Sequence, residues 1–497
     1  MPLIYAARWV LPIIDAPIEH GAIAIEDSTI IAVGTRADLI ARLPDTPVND
    51  FGEAAILPGL VNAHSHLELT VMRGFLEAEE DDFLAWLRKL TIARMAMTPD
   101  DLFVSASCGA SEAARAGITC IGDSSSAAIA SMRALKQTGL RGIVYQESFG
   151  PDPNLAEENV AKLQTQLSAM REVETDVVRA GVSPHAPYTV SPRQLEMISR
   201  LAIDEEFPLM MHAAESEAER LFLLDGTGAF AEGLKKRNIE WNAPGISTIK
   251  YLQRHGVLQT KPLLAHCINV DDDDLDLIKA ANAGIAHCPK SNAKLRHGRA
   301  PFAKFVERGI NAGLGSDSVA SNNTCDILEE ARFATLLARV SEARPRGPQP
   351  GSPAGVGRSG RARVEARLVK NLHSTVALPD GRASDTVTAS DALFAATLGG
   401  ARALGLDDQI GALKPGLQAD LAIIDLSGAH QSPARNATDA LIFSSSGRDV
   451  LLTIVAGKEI YRDQRITTVD ELESRRRLEA VRTKIELIAG PPSKPMP

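Results

Sequence analysis

Residues 56–66 read ILPGLVNAHSH, an apolar run that ends in two histidines two positions apart. The same design recurs seven more times: ITCIGD (118–123), GIVYQE (142–147), AGVSPH (180–185), PLMMH (208–212), PLLAH (262–266), GIAHC (284–288) and INAGLGSD (310–317). Each run is short, apolar or β-branched, and ends in polar residues. Stretches of helical period lie between them, such as 99–116, 155–173, 192–206 and 271–283. Pro99 and Pro192 suit first-turn positions, and Gly117 suits a helix stop. Alternating strand and helix implies parallel pairing, and eight units imply closure. The expected fold is α/β: a (β/α)₈ TIM-type barrel over residues 56–408.

The flanks read differently. LIYAARWVL, GAIAIED and TIIAVGT near the start, and QIGALKPGLQADLAIIDL and DVLLTIVAGKEIYRD near the end, are short strands and turns. Neither flank is long enough for a large core of its own, so residues 1–55 and 409–465 are expected to form one small composite β-sandwich. Residues 466–497 are expected to be a C-terminal helix and tail, the helix (469–488) packing on the outside. The segment 344–363, RPRGPQPGSPAGVGRSGRAR, is rich in Pro, Gly, Ser and Arg, so a mobile surface insertion is expected over 341–375. A regulatory or partner-binding role is the alternative for it.

Bulk properties narrow the partners. The 497 residues are 44% hydrophobic with net charge −10. That is ample for one large barrel and a companion domain. An acidic chain without a long basic run is a poor match for nucleic acid or an anionic membrane. No stretch approaches about 18 uninterrupted apolar residues, so no membrane span is expected. The N-terminus lacks a basic start and reads as a strand rather than a signal peptide. The five cysteines are odd in number, widely spaced and without a CxxC, which fits a cytoplasmic protein with unpaired thiols. Cys267 and Cys288 each follow a histidine at a strand end; core packing is the expected role of both.

Chemistry in such barrels sits at the C-terminal strand ends. Period-two geometry sends His64 and His66 to one face, where two imidazoles can share a cation at about 2.0–2.1 Å. His212 ends the fifth run with Glu215 three residues on, and Asp317 ends the eighth. Read singly, Glu215 is half of a helix-cap pair and Asp317 an N-cap before residues 318–322. Single readings do not explain why His64, His66, His212, His266 and Asp317 all fall at corresponding ends. Three imidazoles and a carboxylate suit one divalent metal ion, zinc first, with iron or manganese compatible. Such a cation lowers the pKa of bound water toward about 7. Glu215 is then placed to carry a proton to the leaving group. His266 would polarise the water or, with Asp317, stabilise the oxyanion-like intermediate. His287 sits at a strand end, open to a pocket or a core position. His297 lies in a polar loop and reads as a surface residue, and Asn292 as a loop-ordering side chain. His255, His373 and His430 read as structural or exposed.

Taken together, PGLVNAHSH, SPHAPYTVSP, MHAAES, LLAHCINVDDDDLDLI, AHCPKSNAKLRHGRAPF, GLGSDSVASNNTCDILEEARFATLLAR and the tail GALKPGLQADLAIIDL make the chain resemble the amidohydrolase superfamily. The similarity is to its branch of chlorohydrolases and aminohydrolases and covers nearly the whole chain apart from 341–375. It implies that His64, His66, His212 and Asp317 hold one metal, and that Glu215 and His266 form the proton-transfer pair. It further implies that His185 is a substrate contact and that Trp86, in FLAWL, lies against the heterocycle. The absence of a carboxylated-lysine pattern after the fourth run agrees with a single metal. Within the branch the chain is most similar to methylthioadenosine, adenosylhomocysteine and aminofutalosine deaminases, and the long stretch 226–258 resembles the aminofutalosine type.

One departure concerns ribose. Methylthioadenosine deaminases carry an acid shortly after the Trp-Leu pair, whereas residues 88–98 (RKLTIARMAMT) contain none. Glu68 or Glu77 would have to substitute, or the substrate differs. The resemblance therefore implies metal-dependent hydrolytic deamination of an adenine-type nucleoside. The alternatives are another heterocycle (guanine, a chlorinated s-triazine, a pterin or a cyclic amide) or, more remotely, a non-catalytic scaffold. The expected partner is a small heterocyclic substrate, and a homo-oligomer is compatible because relatives are often oligomeric.

Overall fold

The computed structural model of the chain describes residues 1–342, 386–433 and 435–490. The segment 344–363 and His373 lie outside the described residues. Eight parallel strands form the centre, in two sheets of four: Leu60–Ser65, Ile118–Ser125, Arg141–Ser148 and Val178–Pro184, then Met210–Ala213, Leu263–His266, Gly284–His287 and Asn311–Leu314. The two sheets meet at both edges through isolated parallel bridges, Val182 with Leu209 and Ser65 with Asp317. Backbone bonds reinforce these seams, from Val182 N to Pro208 O at 2.9 Å and from Asp317 N to His64 O at 2.9 Å. Eight units in cyclic order are the barrel expected from the repeated runs.

The intervening helices start where the sequence places their caps. Pro99–Arg115 opens on Thr98 and Asp101 in a capping box, Pro192–Asp204 on Ser191, and Asp272–Ala280 on a second capping box of Asp271 and Asp274. Their apolar faces and the outer faces of the strands build the largest buried cluster, which includes Leu60, Ile118, Val144, Val182 and Ile285. A second cluster, with Val61, Tyr145, Met210, Leu263 and Leu404, also draws on the strands.

The flanking strands form one continuous nine-stranded sheet rather than two separately bonded sheets. Ala54–Pro58 is its seam, pairing antiparallel with Leu421–Asp425 from the end of the chain and parallel with Leu3–Val10 from its beginning. Residues from both ends, among them Tyr5, Ile23, Ile56, Ile423 and Ile454, share a single apolar cluster. The run 56–66, read as one strand, is therefore two. The chain turns at Gly59, whose N–H donates to Asp420 O at 2.9 Å. A Cβ at Gly59 would lie 2.0 Å from Thr119 Oγ1, so the barrel wall admits only glycine there.

Helix Glu471–Ala489 is capped by Asp470. It lies on the outside, paired through Arg477 with Asp100 (2.8 Å) and Lys484 with Asp101 (2.5 Å). No helix among the described residues is long and apolar enough to cross a membrane.

Candidate active site

His64 lies near the end of the first barrel strand and His66 just beyond it. Their rings stand edge to face, 4.9 Å apart, and each meets the ring of His212 from the fifth strand, at 4.9 Å and 5.4 Å. The ligand atoms of these three imidazoles all lie within 4.8 Å of one another, with His66 Nε2 only 3.3 Å from His212 Nε2. Asp317 Oδ1 stands 3.3 Å from His64 Nε2 and 3.5 Å from His66 Nε2. Four positions spread over more than 250 residues of sequence thus meet at one point.

The supports leave the right atoms free. His212 Nδ1 donates to His185 O at 3.0 Å, which leaves Nε2 with its lone pair in the neutral ring. Asp317 Oδ2 accepts from Ser291 Oγ (2.5 Å) and Ser321 Oγ (3.2 Å), which leaves Oδ1 facing the imidazoles. Asp317 itself adopts a left-handed φ of 56°. It is not the cap of the helix that follows: Ser318 fills that role for Val319–Asn322.

Burial, then mutual repulsion among the histidines, keeps most of the group unprotonated. Burial takes His64 down to about 4 despite the pull of Asp317, and holds His212 well below its ordinary value. His66 moves the other way, because Glu147 and Asp317 outweigh its desolvation. Asp317 stays well below the usual carboxylate range: burial opposes its charge, but the close approach of His64, then of His266 and His66, outweighs it. Both ring nitrogens of His64 are buried without hydrogen-bond geometry to any partner, Asp317 included. Orphaned imidazole nitrogens beside an ionised carboxylate fit a bound cation.

The second group stands alongside. Glu215 Oε1 lies 3.6 Å from His266 Nε2 and 3.5 Å from His297 Nε2. His266 Nδ1 is fixed by Asn292 Oδ1 at 2.8 Å, so Asn292 orders a ring rather than the loop backbone. Burial, with the charge of Glu215 behind it, raises the pKa of the Tyr188 phenol. Glu215 is not a cap either, since Ser216 caps Glu217–Leu224.

Other expectations divide. His185 lies at the site, its ring 4.7 Å from that of His212 and its Nδ1 3.0 Å from Thr189 Oγ1. Trp86 is buried in an apolar cluster with Leu69, Phe75 and Leu295, and stacks on Phe83 at 6.1 Å. Phe83 is the ring that reaches the site, meeting His297 edge-on at 4.4 Å. His287 packs against Phe302 at 5.1 Å. The surface reading of His297 is corrected, for its side chain is only 6% exposed. Its N–H bonds back to Asn292 O at 2.9 Å, folding the loop inward, and nothing in local composition signals that return.

Neither substitute carboxylate is free. Glu68 accepts from Ser125, Ser126 and the Ala127 N–H, and Glu77 pairs with Lys294 and Asn323. Glu147, a strand-end residue of the third run, stands 3.9 Å from His66 Nδ1 and was not singled out by sequence reasoning. Burial raises its pKa to about 7.

Residues 55–352 and 359–460 match the profile of the Amidohydrolase family, and residues 21–45 that of the imidazolonepropionase-like composite domain of bacteria. The chain belongs to the amidohydrolase family and is a metal-dependent hydrolase of that class. A 5-methylthioadenosine/S-adenosylhomocysteine deaminase of Nitratidesulfovibrio vulgaris (strain DSM 19637 / Miyazaki F) is 30% identical over 460 residues, covering 91% of this chain and 90% of that one. A 5'-deoxyadenosine deaminase of Methanothermobacter thermautotrophicus is 29% identical over 458 residues, covering 91% and 92%. Among solved structures, an adenosine deaminase from Xanthomonas campestris with bound zinc superposes with a TM-score of 0.78 at 26% identity, covering 98% of this chain and 99% of that one.

Proposed function

We propose that the protein hydrolytically deaminates an adenine-type nucleoside of the methylthioadenosine, adenosylhomocysteine or aminofutalosine class, using one zinc ion held by His64, His66, His212 and Asp317. The observation that carries this reading is the convergence of those four residues, with the Glu215–His266 pair alongside. When bound, the ion acidifies water and so makes a nucleophile available at neutral pH. In the overall reaction, water oxygen bonds to the amino-bearing ring carbon, the carbon–nitrogen bond breaks, and ammonia leaves. Glu215 takes a proton from the attacking water and returns it to the substrate nitrogen, a role suited to a buried carboxylate beside the histidine cluster. His266, its ring fixed by Asn292, and His297 flank that carboxylate at 3.6 and 3.5 Å. Asp317 accepts through Oδ1, and His185 lines the pocket beside the heterocycle. Trp86 acts through Phe83 as an apolar wall. Glu68 and Glu77 are engaged elsewhere, and Glu147, which accepts from Ser124 Oγ at 3.2 Å and stands 3.9 Å from His66 Nδ1, is the carboxylate we assign to sugar hydroxyls. The relatives' deaminase activities and the bound zinc in the Xanthomonas campestris structure support this reading. Five free cysteines fit a cytoplasmic setting.

The test is ammonia release by purified protein from methylthioadenosine, adenosylhomocysteine and aminofutalosine, with metal content measured in the same preparation. Turnover of at least one supports the assignment. Silence on all three, with metal bound, overturns it; guanine and triazine screens read by product mass would then identify the heterocycle.

A further inference from the structure

Glu219 is a fully buried carboxylate that the proposed chemistry does not use. It sits on the first turn of Glu217–Leu224 and points back at the turn before it. Its Oε1 accepts from Ala214 N at 2.8 Å and its Oε2 from Glu215 N at 3.0 Å. Two successive backbone N–H groups converge on it because Ala214 adopts a left-handed φ of 53°. Such a pair is an anion-binding nest, and here the chain supplies its own anion.

The other side of the same peptide is gripped as well. Ala214 O accepts from Ile268 N at 2.8 Å and Asn269 N at 2.9 Å, immediately after His266 and Cys267, both of which are left-handed (φ 74° and 48°). One peptide unit therefore ties the turn that presents Glu215 to the turn that presents His266. Thr248, the first residue of Thr248–Arg254, completes the support: its Oγ1 donates to Glu219 Oε1 at 2.7 Å. Its neighbour Ser247 donates to Asp274 Oδ1 at 2.5 Å, on the helix that follows the sixth strand. The long stretch 226–258 thus reaches the base of the site through these two hydroxyls.

We propose that Glu219, seated by Thr248, is the positioning residue that sets Glu215 against His266 for proton transfer. It acts through backbone and does not touch substrate or metal. The proposal rests on the reading of Glu215 as proton carrier.

The experiment compares Glu219→Gln, Thr248→Val and Thr248→Ser in the metal-loaded, full-length protein. It measures metal content, KM and kcat for deamination, and hydrogen exchange at the Ala214 and Glu215 amides. Glutamine keeps the volume of Glu219 but turns a donor toward one of the two N–H groups. For Glu219→Gln the expected result is a loss of about 100-fold in kcat, the scale of one general acid–base contribution. KM and metal content should stay within about twofold, and the amide left facing the glutamine NH2 should lose protection. Thr248→Val should show the same pattern at smaller amplitude, and Thr248→Ser should restore parent values. Parent kcat in Glu219→Gln, or a loss confined to KM or metal content, overturns the proposal. The exchange readout needs no substrate: unchanged protection in Glu219→Gln rejects the clamp even if no nucleoside is turned over. Glu215→Gln run alongside separates the two ideas, since full activity there removes the proton-carrier reading itself.

Discussion

At the scale of single residues, the site separates holding a cation from moving a proton. His212 reaches the cluster through a nitrogen whose partner atom is spent on a backbone carbonyl, so its truncation removes a ligand and nothing replaces it. We expect His212→Ala to lose bound metal, read by elemental analysis after dialysis. Glu215 meets two imidazoles at 3.5–3.6 Å but is not placed among the four metal-facing groups. Glu215→Gln should therefore keep its metal and lose at least about 100-fold in kcat. Retained turnover near the parent level would put the proton carrier elsewhere. The strand-end residues were legible in sequence because position at the end of a barrel strand is itself a functional address. His297, Tyr188 and the Asn292 bond to His266 were not, because they depend on how loops return in space rather than on local pattern.

At the scale of elements, the short strands and their caps follow from local sequence. The sixth and seventh runs, 262–266 and 284–288, become Leu263–His266 and Gly284–His287. Helix starts at Thr98, Ser191 and Asp271 follow from capping residues whose side chains satisfy the first free N–H groups. The split of 56–66 was not legible, since an apolar run does not announce that its halves bond to different sheets. The turn dipeptide Pro58–Gly59 marks the switch without showing which sheet each half joins. Gly59→Ala would drive a Cβ into Thr119, a β-branched side chain that cannot swing clear. We expect a loss of about 1–3 kcal/mol, the usual cost of overpacking, seen as a lowered melting temperature. An unchanged melting temperature would mean that the seam between sheet and barrel is looser than described.

At the scale of the whole molecule, barrel and sheet are joined by a buried ion pair. Arg141, at the start of the third strand, forms a bidentate bridge to Asp420 at 2.8 and 3.1 Å, and both side chains are almost fully buried. Asp420 also accepts from Ala456 N at 2.8 Å. Removing one partner strands a charge, so Arg141→Ala should cost about 3–5 kcal/mol by denaturant unfolding, well beyond a surface substitution. The buried histidines give a second whole-molecule expectation, for metal-free protein. Burial lowers His64 to about 4 and His185 to about 3. The unfolded chain therefore binds more protons below the ordinary histidine value near 6.5. The stability these neutral rings contribute is fully present above pH 6.5 and is lost as pH falls through 4 toward 3. Melting temperature followed from pH 7 to pH 3 after chelation should drop over that window, and a flat profile would contradict the burial of the cluster.

The most direct measurement is anomalous diffraction at the zinc edge from crystals of the purified, zinc-loaded protein. A single anomalous peak is predicted, about 2.0–2.2 Å from a nitrogen of each of His64, His66 and His212 and from an oxygen of Asp317. A peak held by other residues, or a fully active crystal with no peak between these four, would contradict the account.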